Sequence, residues 1–574
     1  MLSTIDYSLI IAFFAISLFI GIYLSRKSGK DSSEYFLSGR RMPWWLLGVS
    51  MVATTFSADT PNLVAGIVRA DGVKGNWVWW SFLLTGVLTV FFYAKLWRKT
   101  GITTDLEFYE LRYKGKEAAF LRGFRAIYLG VIFNIFIMAT VCLAAIKIGG
   151  TMFDFSALES LSIACIVTLA YSVLGGFKSV LITDFIQFFI AMAGSIWATI
   201  YIINLPEIGG MENLLTHPNV SGKIDFLPDF NDTKTLIPMF IIPIAVQWWS
   251  VWYPGAEPGG GGYVAQRMLA AKDEKNATWA TLFFNFAHYA LRPWPWIIIG
   301  LASLIMFPNL ESLQAAFPNV DPAFVKDDLS YPAMLTYLPA GLLGLVVTSL
   351  VAAFMSTIST HLNWGSSYVV NDFYARFIKP EASEKEKVLV GRLSTLVMML
   401  LAAGLSLFLE EAKEAFNLLL QIGAGTGLLF ILRWFWKRIN PYSEIAAMVI
   451  SFLVAVFFFV NGKLDHPIVE FESHVQLIFG IVITTLGWVV VTIMTQPTDE
   501  ETLQSFDELV FGEECKFHNM GYKVLAFFLG ITGIYCFLFA TGYFIYGKTT
   551  LACILSGVTF ICSFVLVKNW KKIV

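Results

Sequence analysis

The residues best placed to do chemistry in this 574-residue chain are hydroxyls: Ser356, Thr357, Ser359 and Thr360 crowd into one apolar stretch. Positions three and four apart share a helix face, so Ala353, Ser356, Thr357 and Thr360 form one stripe, with Ser359 beside it. A row of neutral oxygens in apolar sequence suits a hard cation such as sodium, which takes several oxygen ligands. The same small residues also permit close helix packing, and the spacing alone is consistent with both roles.

Ionisable residues inside apolar stretches include Asp59, Asp184, Glu257, His288 and Arg292. A charge at bilayer depth costs about 2.5–3.5 kcal/mol on insertion scales, so each asks for a partner or a function. Asp184 stands near the start of its stretch, where an interfacial position would spare it that cost. Arg292 opens Arg292-Pro293-Trp294-Pro295-Trp296. It suits two roles equally, a structural pairing with Glu257 or Asp59 and a contact with solute.

The elements that must position these groups are broken. Ser57-Ala58-Asp59-Thr60-Pro61-Asn62 interrupts a span from about Trp44 to Val68, and Pro254-Gly255-Ala256-Glu257-Pro258-Gly259-Gly260-Gly261-Gly262 interrupts one from about Thr235 to Ala270. Proline lacks an amide donor and glycine weakens a helix, so both spans must partly unwind. Unwound backbone at membrane depth is tolerated only where it is buried in protein or lines a polar cavity. Matched breaks in two halves point to an inverted-repeat carrier with a midplane site.

Composition agrees: the chain is 56% hydrophobic and 14% charged, which leaves too little polar surface for a water-soluble protein of this length. About 15 segments can cross at roughly 20 apolar residues each. They lie near 7–25, 43–70, 76–98, 122–149, 156–174, 179–203, 235–270, 278–306, 341–375, 387–409, 413–434, 443–461, 474–496, 522–546 and 549–567. The expected fold is an all-α polytopic membrane protein. Residues 1–42 form the first helix and a cytoplasmic loop, 43–203 and 235–434 two five-helix repeats, 204–234 an extracellular loop, and 435–574 about four accessory helices.

No basic region precedes the first span and no small-residue cleavage site follows it, so it reads as a membrane helix and not a signal peptide. Cysteines 142, 165, 515, 536, 553 and 562 have no paired spacing and read as small core residues. No Walker A loop, nucleophile elbow or HExxH is present, which argues against an enzyme and against ATP drive. Basic residues cluster after the odd spans: Arg26, Lys27 and Arg40 after the first, Arg98, Arg112, Arg122 and Arg125 around the loop after the third. Arg267 and Lys272 follow the seventh and Arg433 and Arg438 the eleventh, while residues 204–234 are acidic. The positive-inside rule then sets the amino terminus outside and the Lys571-Lys572 tail in the cytoplasm of a cell-membrane protein.

Four strings carry a resemblance. Glu34-Tyr35-Phe36-Leu37-Ser38-Gly39-Arg40-Arg41-Met42-Pro43-Trp44-Trp45 resembles the entry signature of the sodium:solute symporter family. Gly175-Gly176-Phe177-Lys178-Ser179-Val180, with Thr183-Asp184 and Gln187, is similar to its loop into the sixth span. Gln266-Arg267-Met268-Leu269-Ala270-Ala271-Lys272 resembles the seventh-span exit, and Met355-Ser356-Thr357-Ile358-Ser359-Thr360 with Asn371-Asp372-Phe373-Tyr374 the ninth span. The resemblance implies a leucine-transporter-like core of two inverted five-helix repeats, and sodium-driven uptake of a small polar solute by alternating access. A sodium-conducting channel, or a sensor built on the same scaffold, would use the same oxygen chemistry; sodium-dependent, saturable uptake separates them.

The resemblance also implies a sodium site at the carbonyls of Ala53, Phe56 and Ala353 and the hydroxyls of Ser356 and Thr357. A second would lie among Asp184, Ser356, Ser359 and Thr360, giving two sodium ions per solute. For the solute it implies Asp59, Thr60, His288 and Gln421; Arg292 and Glu257 join the candidates as buried charges near the breaks. Trp79, Trp80, Trp248, Trp249 and Trp252 are candidates to stack on a sugar face. The third span reads Gly75-Asn76-Trp77, without the carboxylate of the sugar carriers, so sugar, sugar acid, amino acid and other small carboxylate all stay open. The expected partners are that solute, sodium and the lipid bilayer, with no nucleic acid and no obligate protein partner.

Overall fold

The computed structural model describes residues 2–28, 37–174, 177–251, 257–411, 417, 419–462, 464, 466–512 and 519–573. Glu34–Phe36, Gly175–Gly176, Trp252, Pro254–Ala256 and Cys515 lie outside the described residues. Among the described residues the secondary structure is helical, apart from an isolated bridge between Met42 and Ala271.

The first helix, α1, is Thr4–Ser28. The first half contains the broken pair α2 (Trp44–Thr55) and α3 (Asp59–Asp71). It continues with α4 (Val73–Thr100), α5 (Lys116–Met152), α6 (Ala157–Leu174) and α7 (Phe177–Ile203). The second half opens on α8 (Thr233–Ala245) and α9 (Gly262–Ala270). It continues with α10 (Glu274–Met306), α11 (Leu342–Ile378), α12 (Glu384–Ser406) and α13 (Gly427–Leu432). Four accessory helices follow: α14 (Pro441–Asn461), α15 (Ser473–Met494), α16 (Met520–Ile545) and α17 (Thr549–Ile573). Each of the expected stretches contains helix, and among the described residues ten helices are long and apolar enough to cross a bilayer. α10 and α11 are the most deeply packed of these and α12 and α17 the least.

Pro61 sits in the first turn of α3, where its missing amide leaves no hydrogen bond unmade. The first break is thus the short link Phe56–Ala58, with Phe56 at φ −94° and ψ 77°. The second is tighter. Gly259 and Gly260 hold φ of 88° and 90°, a region that side chains rarely adopt. A methyl on Gly423 or Gly427 would overlap the carbonyls of Val251 and Trp249, so the eleventh span presses directly on the unwound strand. Trp97 Nε1 donates to the Gly259 carbonyl at 2.7 Å, and the Gly262 amide to Asp105 Oδ2 at 2.8 Å, which pins this break to the loop after α4.

The segment between α10 and α11 fastens one end of the bundle through a pair of aspartates. Lys147 on α5 reaches both carboxylate oxygens of Asp328, at 2.6 and 2.8 Å, with both side chains buried. Arg69 on α3 pairs with Asp327 at 3.0 Å and donates to the carbonyls of Ser303 and Phe307.

Candidate ion and solute site

The first break leaves the last carbonyls of α2 without helical amides, and each finds a different answer. Phe56 N–H is shared between Val52 O (2.8 Å) and Ala53 O (3.1 Å). Thr357 Oγ1 on α11 donates to Thr54 O at 2.9 Å, and Thr60 Oγ1 on α3 donates to Thr55 O at 3.2 Å. A hydroxyl has one proton and two lone pairs. Thr357 commits its proton to Thr54 O, and Ser356 commits its own to Asp184 Oδ1, so both oxygens are left as acceptors on the face where α11 meets the break. That is the polarity a bare cation needs.

Asp184 on α7 is fully buried, so it needs a partner. Ser50 Oγ donates to its Oδ2 at 2.6 Å. Facing it is the guanidinium of Arg267 on α9, with Nη2 at 4.0 Å from Oδ2 and both side chains fully buried. Arg267 donates from Nη2 to Thr360 Oγ1 at 3.0 Å and to Ser50 Oγ at 3.2 Å, and from Nη1 to Gln266 Oε1 at 3.0 Å. Ser359 Oγ turns to the Ser356 carbonyl at 3.1 Å. Asp184, Ser356 and Thr360 therefore do converge, but around an arginine.

Beside the first break lies a cavity of about 90 Å³. Asp59 and Thr60 from α3 and His288 and Arg292 from α10 line it, with Trp79, Thr140 and Thr357 completing polar and aromatic wall. α10 presents His288 and Arg292 through a π-type turn at Ala287–Leu291. Pro293 and Pro295 withhold amides there, and the Arg292 amide reaches back to Ala287 O at 3.3 Å. Arg292 Nη2 donates to His288 Nδ1, which sets the neutral ring with its proton on Nε2. Its Nη1 reaches Val52 O at 3.3 Å, and its plane lies 5.3 Å from the Trp296 ring and 5.9 Å from that of Phe56. Among the described residues no carboxylate lies within ion-pair distance of Arg292. Asp59 is in electrostatic reach, and its buried Oδ1 has no hydrogen-bond partner among the described residues.

Two expected solute residues stand apart from this cavity. Glu257 is buried in an ion pair with Arg125 of α5 at 2.9 Å. That pair joins a second one, Arg433 with Glu444 at 3.5 Å, which Tyr113 completes by donating to Glu444 at 2.7 Å. Two arginines balance two glutamates, which gives Glu257 a partner other than Arg292. Gln421 donates to Gln476 of α15 at 3.1 Å; its neighbour Leu419 lines the cavity. Of the tryptophans, Trp79 reaches the cavity, while Trp80, Trp248 and Trp249 are not on its wall.

Sequence reasoning missed Arg267, Arg125, Lys147 and Asp328 as partners of buried charge. Arg112, Arg125, Arg267 and Arg433 were counted with the basic loops, yet all four are buried. The reason is geometric: long side chains near helix ends fold back into the protein to meet acidic groups from other helices, which no linear pattern records.

A model of the sodium:solute symporter family matches residues 35–451. The chain is 26% identical over 476 residues to the sodium/glucose cotransporter of Vibrio parahaemolyticus, covering 79% of this chain and 85% of that one. It is 26% identical over 475 residues to the sodium/sialic acid symporter SiaT of Proteus mirabilis, covering 79% and 89%. To the sodium/myo-inositol cotransporter 2 of Oryctolagus cuniculus it is 26% identical over 549 residues, covering 87% and 78%. Its fold is similar to the substrate-bound, outward-open structure of a Na+-coupled sialic acid symporter, with a TM-score of 0.66 at 20% identity over 87% of this chain and 99% of that one. With that match spanning both broken pairs, the chain belongs to the sodium:solute symporter family, and it is a multi-pass membrane carrier, not an enzyme, with sodium as its coupling ion.

Proposed function

We propose that this carrier seats sodium at the first break, between the carbonyls of Ala53, Phe56 and Ala353 and the hydroxyls of Ser356 and Thr357. Its solute binds in the adjoining cavity against Asp59, Thr60, His288 and Arg292. One observation carries this reading: Thr357 belongs both to the cation set and to the cavity wall. An ion that fixes Thr357 and the end of α2 also fixes one side of the solute pocket, and that is a coupling free energy between two ligands. Gln421 joins the solute set on exchanging its bond to Gln476 for one to the solute. Glu257 serves the scaffold, as the counter-ion of Arg125.

The solute is a sugar, sugar acid, amino acid or other small carboxylate. The relatives' names for glucose, sialic acid and myo-inositol favour a polyhydroxylated molecule. A buried guanidinium on the cavity wall, with no carboxylate at ion-pair distance among the described residues, favours an acidic one. The test is thermal unfolding of purified protein in sodium or potassium against a panel of these four classes. Sodium-dependent stabilisation by acidic solutes is expected, with Arg292→Gln losing it far more for acidic than for neutral members. Stabilisation by neutral solutes alone would remove Arg292 from this role.

The amino terminus is placed outside and the carboxyl terminus in the cytoplasm. Residues 43–203 and 235–434 form the two repeats, 204–234 the extracellular loop, and 435–574 the accessory helices. This arrangement is supported by the exposed Lys114 between α4 and α5, by Lys272 after α9, and by the acidic 204–234 segment.

A further inference from the structure

We propose that Arg267 is a tethered cation occupying the second cation cluster, and that it holds this carrier to one sodium ion per solute. The inference rests on the sodium site proposed above, and it departs from the two-ion expectation drawn from the sequence. The two clusters differ in where their protons and lone pairs point. At the first, the Ser356 and Thr357 protons are committed to Asp184 and Thr54 O, so the oxygens remain open to a cation. At the second, two hydroxyls beside Asp184 already receive protons from a cation: Thr360 Oγ1 and Ser50 Oγ accept from Arg267 Nη2 at 3.0 and 3.2 Å, while Ser359 Oγ donates to the Ser356 carbonyl.

Charge gives the same answer. Asp184 carries the cluster's single negative charge and faces one guanidinium at 4.0 Å. A sodium ion added among Asp184, Ser359 and Thr360 would set two positive charges against one negative in a buried site. Arg267 is also anchored by the faces of Phe177 (5.1 Å) and Tyr263 (5.7 Å) and by Gln266 Oε1 at 3.0 Å. It follows the second break on α9 and touches α2 and α11, so it joins three elements where a diffusible ion would otherwise do so.

The test needs no solute. Equilibrium dialysis of the purified full chain against radioactive sodium, in a choline background, counts the ions bound at saturation. One sodium per chain is expected, with its affinity weakened tenfold or more by Thr357→Val. Arg267→Gln removes the tethered charge and should raise the count to two, with sodium stabilising this variant more steeply than the wild type. Two ions on the wild-type chain would overturn the proposal, and that count stands even if Arg267→Gln fails to fold. A count of one in a well-folded Arg267→Gln would overturn it as well. A single ion indifferent to Thr357→Val would instead overturn the first sodium site.

Discussion

Thr357 is the residue where the proposed ion site, the solute cavity and the break meet, and Thr357→Val isolates its oxygen because valine keeps nearly the same shape. Two effects follow and can be separated. Without sodium, the variant loses the 2.9 Å bond to Thr54 O and leaves that buried carbonyl unpaired. The cost of such a loss is about 1–3 kcal/mol. With sodium, it also loses one of five proposed ligands. A tenfold weaker site is about 1.4 kcal/mol. At a sodium concentration 100 times the wild-type dissociation constant, ion-induced stabilisation is about 2.7 kcal/mol, and it should fall to about 1.4 kcal/mol in the variant. Thermal unfolding in matched sodium and potassium buffers reads both numbers, and sodium-dependent uptake in cells or vesicles reads the second. Thr357→Ser restores an oxygen and should recover most of each. If the valine variant is expressed normally and its sodium dependence is unchanged, or if serine is as damaging as valine, the ion is not at this break.

Lys147→Met leaves Asp328 buried without its partner and should cost about 3–5 kcal/mol. Lys147→Met with Asp328→Leu should recover much of it in thermal unfolding, whereas a double variant no better than the single one would show that the pair is not an isolated ionic latch. Gln421→Ala should weaken solute-induced stabilisation while leaving solute-free sodium binding nearly intact. Equal loss of both in paired titrations would make Gln421 a tie between α15 and the core.

The helical class was legible because hydrophobic runs have one physical reading at membrane length, where every backbone group must be satisfied internally. The two breaks were legible for the same reason, since proline and glycine act locally. Legibility failed where a contact joins distant segments. The second break is held by glycines against the carbonyls of Trp249 and Val251, by Trp97 of α4 and by Asp105 of the loop after it. Its glycine content was visible, but what pressed on it was not.

The sequence by itself determined the spans, the two interruptions, the hydroxyl stripe on α11 and the family that these strings resemble. All of these depend on neighbours along the chain or one helical turn away. Only the tertiary structure decided which buried charges meet. Glu257 found Arg125 and not Arg292, and Lys147 found Asp328. Arg267, one turn from the end of α9, turned inward to Asp184. A buried charge is costly enough to require a partner, so the sequence can say that one exists. Which one it is depends on helices packed side by side, and no spacing along the chain encodes that.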